Sequence, residues 1–316
     1  MKVRVVFFLL TLLFLFGCSR CSEQFKTERK VKLNPNEITV GTFNIEWLGD
    51  GINDRIERTE EDYKNIAKII QESNCDIIGV QEVENFNALN KLIKYLPDYS
   101  FYITRDDAPQ KVGIIYHKEL KVKYLYDYSP LEVLERRTRP GLVAAIQKGN
   151  FDYLVLVVHF KATSRFDDTP EKIEQSRNLR LQQAEVVAKW VDSILTQKNE
   201  EDLFIIGDFN DTPVRKQFNT LIPLLSDTNL VFLTEQLKSC KFPNAYVIDH
   251  ILVTKSVTKR YIPNSVALYN TFEVFSKEVA GKISDHCLIF ARFDVNKPDN
   301  DPSKYFEGQQ KVAFFR

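Results

Sequence analysis

The stretch LFIIGDFNDTP, residues 203–213, places three carboxylate or amide side chains directly after an apolar run. The apolar run predicts a buried strand, and Asp208, Asn210 and Asp211 follow it within four residues. One interpretation is a solvated turn, because Asp and Asn favour turns through local hydrogen bonds. The other is a metal or phosphate site at the carboxyl end of a strand, where open α/β sheets place their ligands.

Polar side chains recur at the ends of other apolar runs in the same chain. They are Asn44, Glu82, His159 with Lys161, Asp249, and Asp285 with His286. Each alone has a structural explanation, such as a solvated strand end or a hydrogen-bonded histidine. Together they are harder to explain in that way, because an unpaired buried charge is costly. The set therefore favours a functional site.

The elements that must position these residues form a mixed pattern. Strands are predicted for EITVGTFNIEWL, CDIIGVQEVEN, YSFYITR, VGIIYH, KVKYLYDY, GLVAAIQ, FDYLVLVVHF, LFIIGD, AYVIDHILV and DHCLIFARF. A helix begins at Thr59 with Asp62 completing a capping box, a second covers about residues 86–96, and a third runs from residue 169 to about 193. Runs of strands with a few helices predict packed sheets with helices outside them.

Composition sets broad limits on the protein. The 316 residues suit one large domain or two ordinary ones. Basic and acidic residues number 43 each, so net charge argues neither for nor against a nucleic-acid partner. A hydrophobic share of 44% excludes a disordered chain.

Six motifs taken together resemble one known superfamily. TFNIEW, IIGVQEVEN, VVHFKA, IIGDFNDTP, VIDHILV and ISDHCLI occur in the order typical of the endonuclease/exonuclease/phosphatase superfamily, across about residues 37–293. That superfamily includes pancreatic deoxyribonuclease, AP endonucleases, neutral sphingomyelinases and inositol-polyphosphate 5-phosphatases. The resemblance implies a four-layer α/β sandwich, with two mixed sheets face to face and helices on both outer faces. It also implies Mg²⁺-dependent hydrolysis of a phosphate ester, with Mn²⁺ or Ca²⁺ as other possible ions.

The resemblance implies roles for particular residues. Asn44 and Glu82 would form the metal site with Asp285 nearby, since a hard cation prefers oxygen ligands. Asp208 would orient or activate the attacking water, and Asn210 would hydrogen-bond the phosphate. In an extended chain these two share one face, while Phe209 points into the core.

Basic residues complete the implied site. His159 would contact the phosphate as an acid or a stabilising group. Lys161 either adds positive charge or is a solvated strand end. Arg139 stands where family members carry a phosphate-contacting arginine, although the surrounding ERRTR also suits a charged loop.

Strand alternation separates Asp249 from its neighbour His250, because successive side chains point to opposite faces. We therefore expect Asp249 to face the site and orient His286, and we expect His250 to be structural. His117 matches no motif and is expected at the surface.

Two positions depart from the deoxyribonuclease pattern. Gln110 stands near a glutamate that pairs with the first histidine of that enzyme, so His159 is expected to lack a carboxylate partner. Glu84 lies close to the position of a DNA-contacting arginine. The resemblance is therefore stronger at the catalytic centre than at the DNA-reading surface, and a histidine at position 159 argues against abasic-site repair.

The N-terminal residues predict export. Lys2 and Arg4 precede the apolar run VVFFLLTLLFLFG, which is typical of a signal peptide. The run ends at LFGC, which resembles the lipobox in which a cysteine, here Cys18, is lipidated. We predict a lipoprotein signal peptide at 1–17, a polar tether at 18–36, the enzymatic domain at 37–294 and a tail at 295–316. The protein would then be a membrane-anchored monomer facing the periplasm or the exterior.

The other cysteines leave the disulfide state open. Cys75 and Cys287 adjoin apolar runs and are expected to be small core residues. An exported protein can form a disulfide, but the spacing assigns none.

Three functions are compatible with these observations. The first is an exported endonuclease that hydrolyses DNA or RNA with low sequence specificity. The second is a phospholipid hydrolase of the sphingomyelinase or phosphoinositide-phosphatase type, which would need exposed apolar surface near the site. The third is a binding protein without catalysis, which would have no need for the whole set of catalytic residue types.

Overall fold

The computed structural model describes residues 33–198, 200–299 and 305–306. The strands are β1 Glu37–Leu48, β2 Ile77–Val83, β3 Tyr99–Ile103, β4 Lys111–His117, β5 Lys121–Tyr128, β6 Gly141–Lys148, β7 Phe151–His159, β8 Leu203–Asp208, β9 Leu230–Phe232, β10 Asp249–Thr254, β11 Ala267–Leu268 and β12 Ile289–Asp294. The helices are α1 Glu60–Ser73, α2 Phe86–Ile93, α3 Pro170–Gln197, α4 Ile222–Ser226, α5 Lys255–Thr258, α6 Thr271–Val274 and α7 Lys277–Ile283.

The strands form two mixed sheets. One six-stranded sheet has the order β11-β12-β1-β2-β4-β3, and the other has the order β5-β6-β7-β8-β10-β9. The pairs β1–β2 and β7–β8 are parallel, while their other neighbours run antiparallel. The predicted fold class is confirmed.

Three apolar layers hold the sheets and helices together. The central layer lies between the sheets and joins residues such as Val40 of β1 to Ile206 of β8. A second layer packs α1, α2 and α7 on the outer face of the first sheet. A third layer packs α3 and α4 on the outer face of the second sheet. Because strand side chains alternate, each strand contributes to the central layer and to one outer layer.

Helix boundaries follow local chemistry. The capping box of Thr59 and Asp62 is present at the start of α1, as predicted. The second helix ends at Ile93, three residues before the predicted end. The amides of Tyr95 and Leu96 donate to carbonyl oxygens three residues earlier, which is the pattern of tight turns and not of an α-helix. The third helix runs past its predicted end to Gln197, since Ile194 and Leu195 still pack on the outer layer.

Two predictions about single residues are wrong. His117 is buried, not exposed: its ring packs edge-on against Tyr99. Cys287 is not a free core cysteine but forms a disulfide with Cys240. Cys75 is buried and free, as predicted.

The predicted signal peptide, Cys18 and most of the tether and tail lie outside the described residues. Within the described part of the chain, no helix has the length and apolar character needed to cross a membrane.

Gly207 is required one residue before the end of β8. Its φ is +149°, and a Cβ at this position would lie 1.9 Å from the carbonyl oxygen of Val158 on β7. An L side chain rarely adopts such a backbone conformation. Gly207 therefore permits the close β7–β8 pairing that precedes Asp208.

We expect Gly207→Ala to lower the free energy of unfolding by about 3 kcal/mol, because the new methyl group meets backbone and the φ angle is strained. Urea denaturation followed by circular dichroism measures this change. Gly281→Ala is the matched control, since a Cβ there has no neighbour within 4 Å. That helical position should gain about 0.5 to 1 kcal/mol. Equal stability of the two variants would contradict the assignment.

Candidate active site

Three side chains line up across the second sheet. In the strand register His159 of β7 lies beside Asp208 of β8, and Asp208 lies opposite Asp249 of β10. Alternation places all three on the inner face, continuing the central apolar layer, while Phe209 joins the outer layer. His250 points outward, as predicted, and contacts Thr234 and the carbonyl oxygen of Asp211.

Asn44 connects the two sheets at this end. It lies on the inner face of β1, and its Nδ2 donates to Oε1 of Glu82 at 3.2 Å and to Oδ2 of Asp208 at 3.0 Å. Its Oδ1 accepts from the amide of Glu46 at 2.9 Å. Asn44 thus holds two carboxylates from different sheets next to each other.

A backbone irregularity turns Glu82 into the site. Val80 faces the outer layer, so strict alternation would send Glu82 to the same side. The pairing of β2 shifts register between Val80 and Val83, and Glu82 has a φ of +59°. A bulge of this kind re-aims a side chain, and here the carboxylate of Glu82 reaches Asn44.

His159 has two carboxylates nearby, but both lie beyond hydrogen-bonding distance of its ring. Its Nε2 lies 3.8 Å from Oε1 of Glu82 and 3.6 Å from Oδ2 of Asp208. Gln110 instead donates to Oε2 of Glu82 at 2.6 Å. The residue that departs from the deoxyribonuclease pattern therefore positions the carboxylate of Glu82.

Arg139 and His159 form a buried pair. The guanidinium of Arg139 contacts Nδ1 of His159, so that nitrogen accepts and the proton resides on Nε2, toward the carboxylates. Burial lowers the pKa of His159 well below its usual value, and the positive charge of Arg139 lowers it further. His159 is therefore a neutral imidazole at neutral pH.

His286 has the opposite electrostatic environment. Its Nδ1 lies 2.6 Å from Oδ2 of Asp249, the predicted contact, and its Nε2 lies 4.0 Å from Oδ2 of Asp208. Burial alone would lower the pKa of His286. The carboxylates of Asp249, Asp208 and Asp285 outweigh burial and raise that pKa well above its usual value. His286 is therefore an imidazolium at neutral pH.

Asp208 lies between the two histidines. Burial, followed by the nearby carboxylate of Asp249, raises the pKa of Asp208 to about 7. The strand ends at Asp208, and Asn210 has a φ of +52°. The expectation that Asp208 and Asn210 share one face of an extended chain is therefore wrong. The amide of Asn210 donates to Oδ1 of Asp208, and the side-chain Nδ2 of Asn210 donates to the carbonyl oxygen of Phe160.

The third residue of the opening stretch is structural. Asp211 is fully buried and accepts hydrogen bonds from the amide and hydroxyl of Thr220. It also pairs with Arg215. Asp211 thus fastens the loop that follows β8.

Asp285 lies on the His286 side of the site. Its carboxylate is 3.5 Å from Nζ of Lys241 and 3.7 Å from Nε2 of His286. Its amide donates to Oε2 of Glu46, a residue that the sequence analysis did not single out. Glu46 has a φ of +43° in an irregular part of β1, so strand alternation gives no signal for its position. Burial, followed by Asp285, raises the pKa of Glu46.

Lys161 lies away from the central group. Its ammonium contacts the carbonyl oxygen of Ala162 and lies 3.8 Å from Oδ2 of Asp167. The cation in direct contact with a site histidine is Arg139.

The arrangement suits a divalent cation. One carboxylate oxygen of Asp208 and one of Asp249 lie within 4.8 Å of each other and of a ring nitrogen of His286. The protonated His286 has no free lone pair, so only the carboxylates of this group can be metal ligands. Oδ1 of Asp249 is buried without a hydrogen-bond partner, and Glu82 adds a carboxylate beside Asp208. Clustered carboxylate oxygens are the ligands that Mg²⁺ prefers. Asn44 presents its amide nitrogen to them, and a half-turn of that amide would present its oxygen.

Comparisons with solved structures agree with this fold. Truncated TDP2 from Caenorhabditis elegans has a TM-score of 0.59 at 20% identity, covering 83% of this chain and 100% of that chain. TDP2 from D. rerio, complexed with single-strand DNA product, has a TM-score of 0.58 at 16% identity, covering 82% and 99%. The mannosyl-6-phosphatase of Bacteroides thetaiotaomicron VPI-5482 has a TM-score of 0.54 at 17% identity, covering 80% and 98%.

These identities are low, so the structural likeness shows the fold alone. No curated protein sequence matches the chain. A family model described as the Endonuclease/Exonuclease/phosphatase family matches residues 41–286. Because this match spans most of the chain and the whole of the site, the chain belongs to the endonuclease/exonuclease/phosphatase family.

Proposed function

We propose that this phosphoesterase-type hydrolase is a metal-dependent phosphodiesterase that cleaves DNA or RNA with low sequence specificity. Family membership establishes the reaction class. The observation that supports the mechanism is the convergence of Glu82, Asp208 and His159 on one point, with a second histidine 4.0 Å from Asp208. A binding protein without catalysis would have no need for two histidines with opposite pKa shifts at that point.

A metal fits beside these carboxylates. Glu82 would hold it, with Asn44 after rotation of its amide and Asp285 from the His286 side, and the carboxylate of Asp208 would remain for proton transfer. A bound divalent cation polarises a phosphoryl oxygen and stabilises developing negative charge.

The two histidines and Asp208 divide the proton chemistry. Asp208, with a pKa of about 7, suits a general base that accepts a proton from water, because a base works best near the ambient pH. The cationic His286, held by Asp249, stabilises the negative phosphate. The raised pKa of His286 favours this stabilising role over a role as the general base.

His159 serves the leaving group. Its Nε2 carries the proton and faces the site, while Arg139 occupies Nδ1 and holds that tautomer. A neutral imidazole can donate this proton to the departing oxygen. The backbone amide of Asn210 donates a hydrogen bond to Oδ1 of Asp208 and so holds that carboxylate in position.

The choice of nucleic acid over lipid rests on the surface around the site. The D. rerio TDP2 structure holds single-strand DNA product, so this fold can accommodate such a chain. The phospholipid alternative needs exposed apolar surface, and one such side chain is present: Phe242 is 61% exposed. Lys238 and Lys241 flank it, so the surface there is as much cationic as apolar.

We expect Glu82→Gln to lower the rate of plasmid DNA cleavage in Mg²⁺ by several orders of magnitude, because it removes a carboxylate oxygen from the metal site. Gel assays of plasmid DNA and RNA, with a sphingomyelin assay in parallel, identify the substrate class. Glu61→Gln, on the exposed face of α1, is the control and should retain the wild-type rate. Full activity in excess chelator would exclude the metal, and turnover of sphingomyelin alone would favour the lipid hydrolase.

A substrate with a good leaving group separates the histidines. Nitrophenolate needs little protonation, so His159→Ala should lose about 10²- to 10⁴-fold on DNA but recover most of this loss on bis(p-nitrophenyl) phosphate. His286→Ala should be impaired equally on both substrates, because stabilisation of the phosphate is needed in each case. Steady-state kcat/KM values for the two variants test this. Rescue of His286→Ala alone would reverse the roles.

We also propose export and lipid anchoring at Cys18. The Cys240–Cys287 disulfide supports export, because such bonds persist in oxidising compartments. Mass spectrometry of protein extracted from membranes should find a diacylated Cys18 as the first residue. A mature terminus at another position without lipid would contradict the proposal.

A further inference from the structure

A disulfide ties one loop to the residue that follows His286. The 237–247 loop lies between β9 and β10, and its Cys240 is bonded to Cys287. The loop closes on itself through a bridge between Lys238 and Tyr246 and a hydrogen bond from the amide of Val247 to the carbonyl oxygen of Leu237. It is therefore a defined hairpin whose position is set by a covalent bond next to a site histidine.

The loop forms one wall of a cavity of about 220 Å³. The cavity shares Asp249, Asp285 and His286 with the site described above. Its lining is otherwise mainly apolar: the loop contributes Phe242 and Tyr246, and Leu268 lies outside the loop. A group bonded to a phosphate could therefore occupy this cavity while His286 contacts that phosphate.

The aromatic rings of the loop carry cations on their faces. Nζ of Lys238 lies 3.1 Å from the centroid of the Tyr246 ring, and Nζ of Lys241 lies 5.6 Å from that of Phe242. Lys241 also pairs with Asp285 at 3.5 Å. The wall thus combines aromatic rings, each with a lysine over one face, with positive charge that can pair with a phosphate.

We infer that the 237–247 loop is a specificity wall that stacks on the nucleobase attached to the scissile phosphate, and that the Cys240–Cys287 disulfide holds it against His286. This inference rests on the proposed phosphodiesterase function and adds its recognition element. Aromatic side chains stack on any base, which suits an enzyme with low sequence specificity. A ribose or an acyl chain lacks the π-face of a base, so neither gains base–aromatic stacking from this wall.

Calorimetry with small phosphates tests the wall directly. The protein in Mg²⁺ is titrated with AMP, ribose 5-phosphate and hexyl phosphate, and the readout is the ratio of the Kd for ribose 5-phosphate to the Kd for AMP. We expect a ratio of about ten or more for the wild-type protein, since base stacking on an aromatic side chain commonly gives this gain. Phe242→Ala and Tyr246→Ala should each bring the ratio toward one.

Phe218→Ala is the matched control. Phe218 is 71% exposed and stacks under Arg177, away from this cavity. Its removal should leave the ratio as in the wild-type protein. Because Phe242 is exposed, its replacement should not disturb folding even if that of Tyr246 does.

The disulfide is tested by Cys240→Ser and by reduction of the wild-type protein. Each should lower the ratio, because the loop is no longer held against His286, while reduction of Cys240→Ser should cause no further fall. An unchanged ratio in both would overturn the role of the disulfide.

Other outcomes separate the wall from the enzymatic function. A ratio near one in the wild-type protein, or a ratio unaffected by both aromatic variants, overturns the nucleobase wall. Hexyl phosphate that binds as tightly as AMP would assign the cavity to an acyl chain instead. These binding measurements need no turnover, so an inactive protein with a high ratio would contradict the phosphodiesterase function alone. If the protein releases phosphate from AMP, it is a phosphomonoesterase. The ratio is then that of the KM for ribose 5-phosphate to the KM for AMP.

Discussion

Burial of the Asp208 carboxylate is the constraint on which the site depends. Asp208 is only 2% exposed and lies at the point where the apolar layer between the sheets ends. An anion in such a place is costly unless it is hydrogen-bonded or paired. Asn44 from the other sheet, the amide of Asn210 and the cationic His286 meet this requirement. Of these groups, His286 can also act on a phosphate.

Arg58 joins the end of β1 to the end of α7, the two segments next to the remaining site residues. The guanidinium of Arg58 donates to carbonyl oxygens of β1, namely those of Ile45, Glu46 and Trp47, and to those of Lys282 and Ile283 at the end of α7. Ser284 adds a hydrogen bond from its hydroxyl to the carbonyl oxygen of Asn44. The metal side and the His286 side are thus fastened together by backbone contacts that leave the site carboxylates available.

The same side-chain type takes two protonation states within this small volume. Both histidines are buried and lie near Asp208, yet the pKa of His159 is lowered and that of His286 is raised. The difference arises from the group at Nδ1, which is Arg139 in one case and Asp249 in the other. Environments that drive the pKa values of paired groups apart are typical of acid–base catalysis.

The sequence by itself determined the fold class, the set of polar strand ends and the facing of Asp208, Asp249 and His250. The facing of the side chains follows from the period of two in a strand, which is a local property. The four-layer fold class was implied by the family resemblance. The resemblance in six ordered motifs then predicted the reaction class, because the motif set as a whole is far more specific than any one of them.

Only the tertiary structure decided how several of these groups meet. Glu82 faces the site because of a bulge and a left-handed φ that alternation does not predict. The partner of Gln110, the burial of His117 and the Cys240–Cys287 bond depend on contacts between distant parts of the chain. Such contacts are set by the packing of two sheets and their loops, and no local pattern encodes which side chains that packing brings within reach.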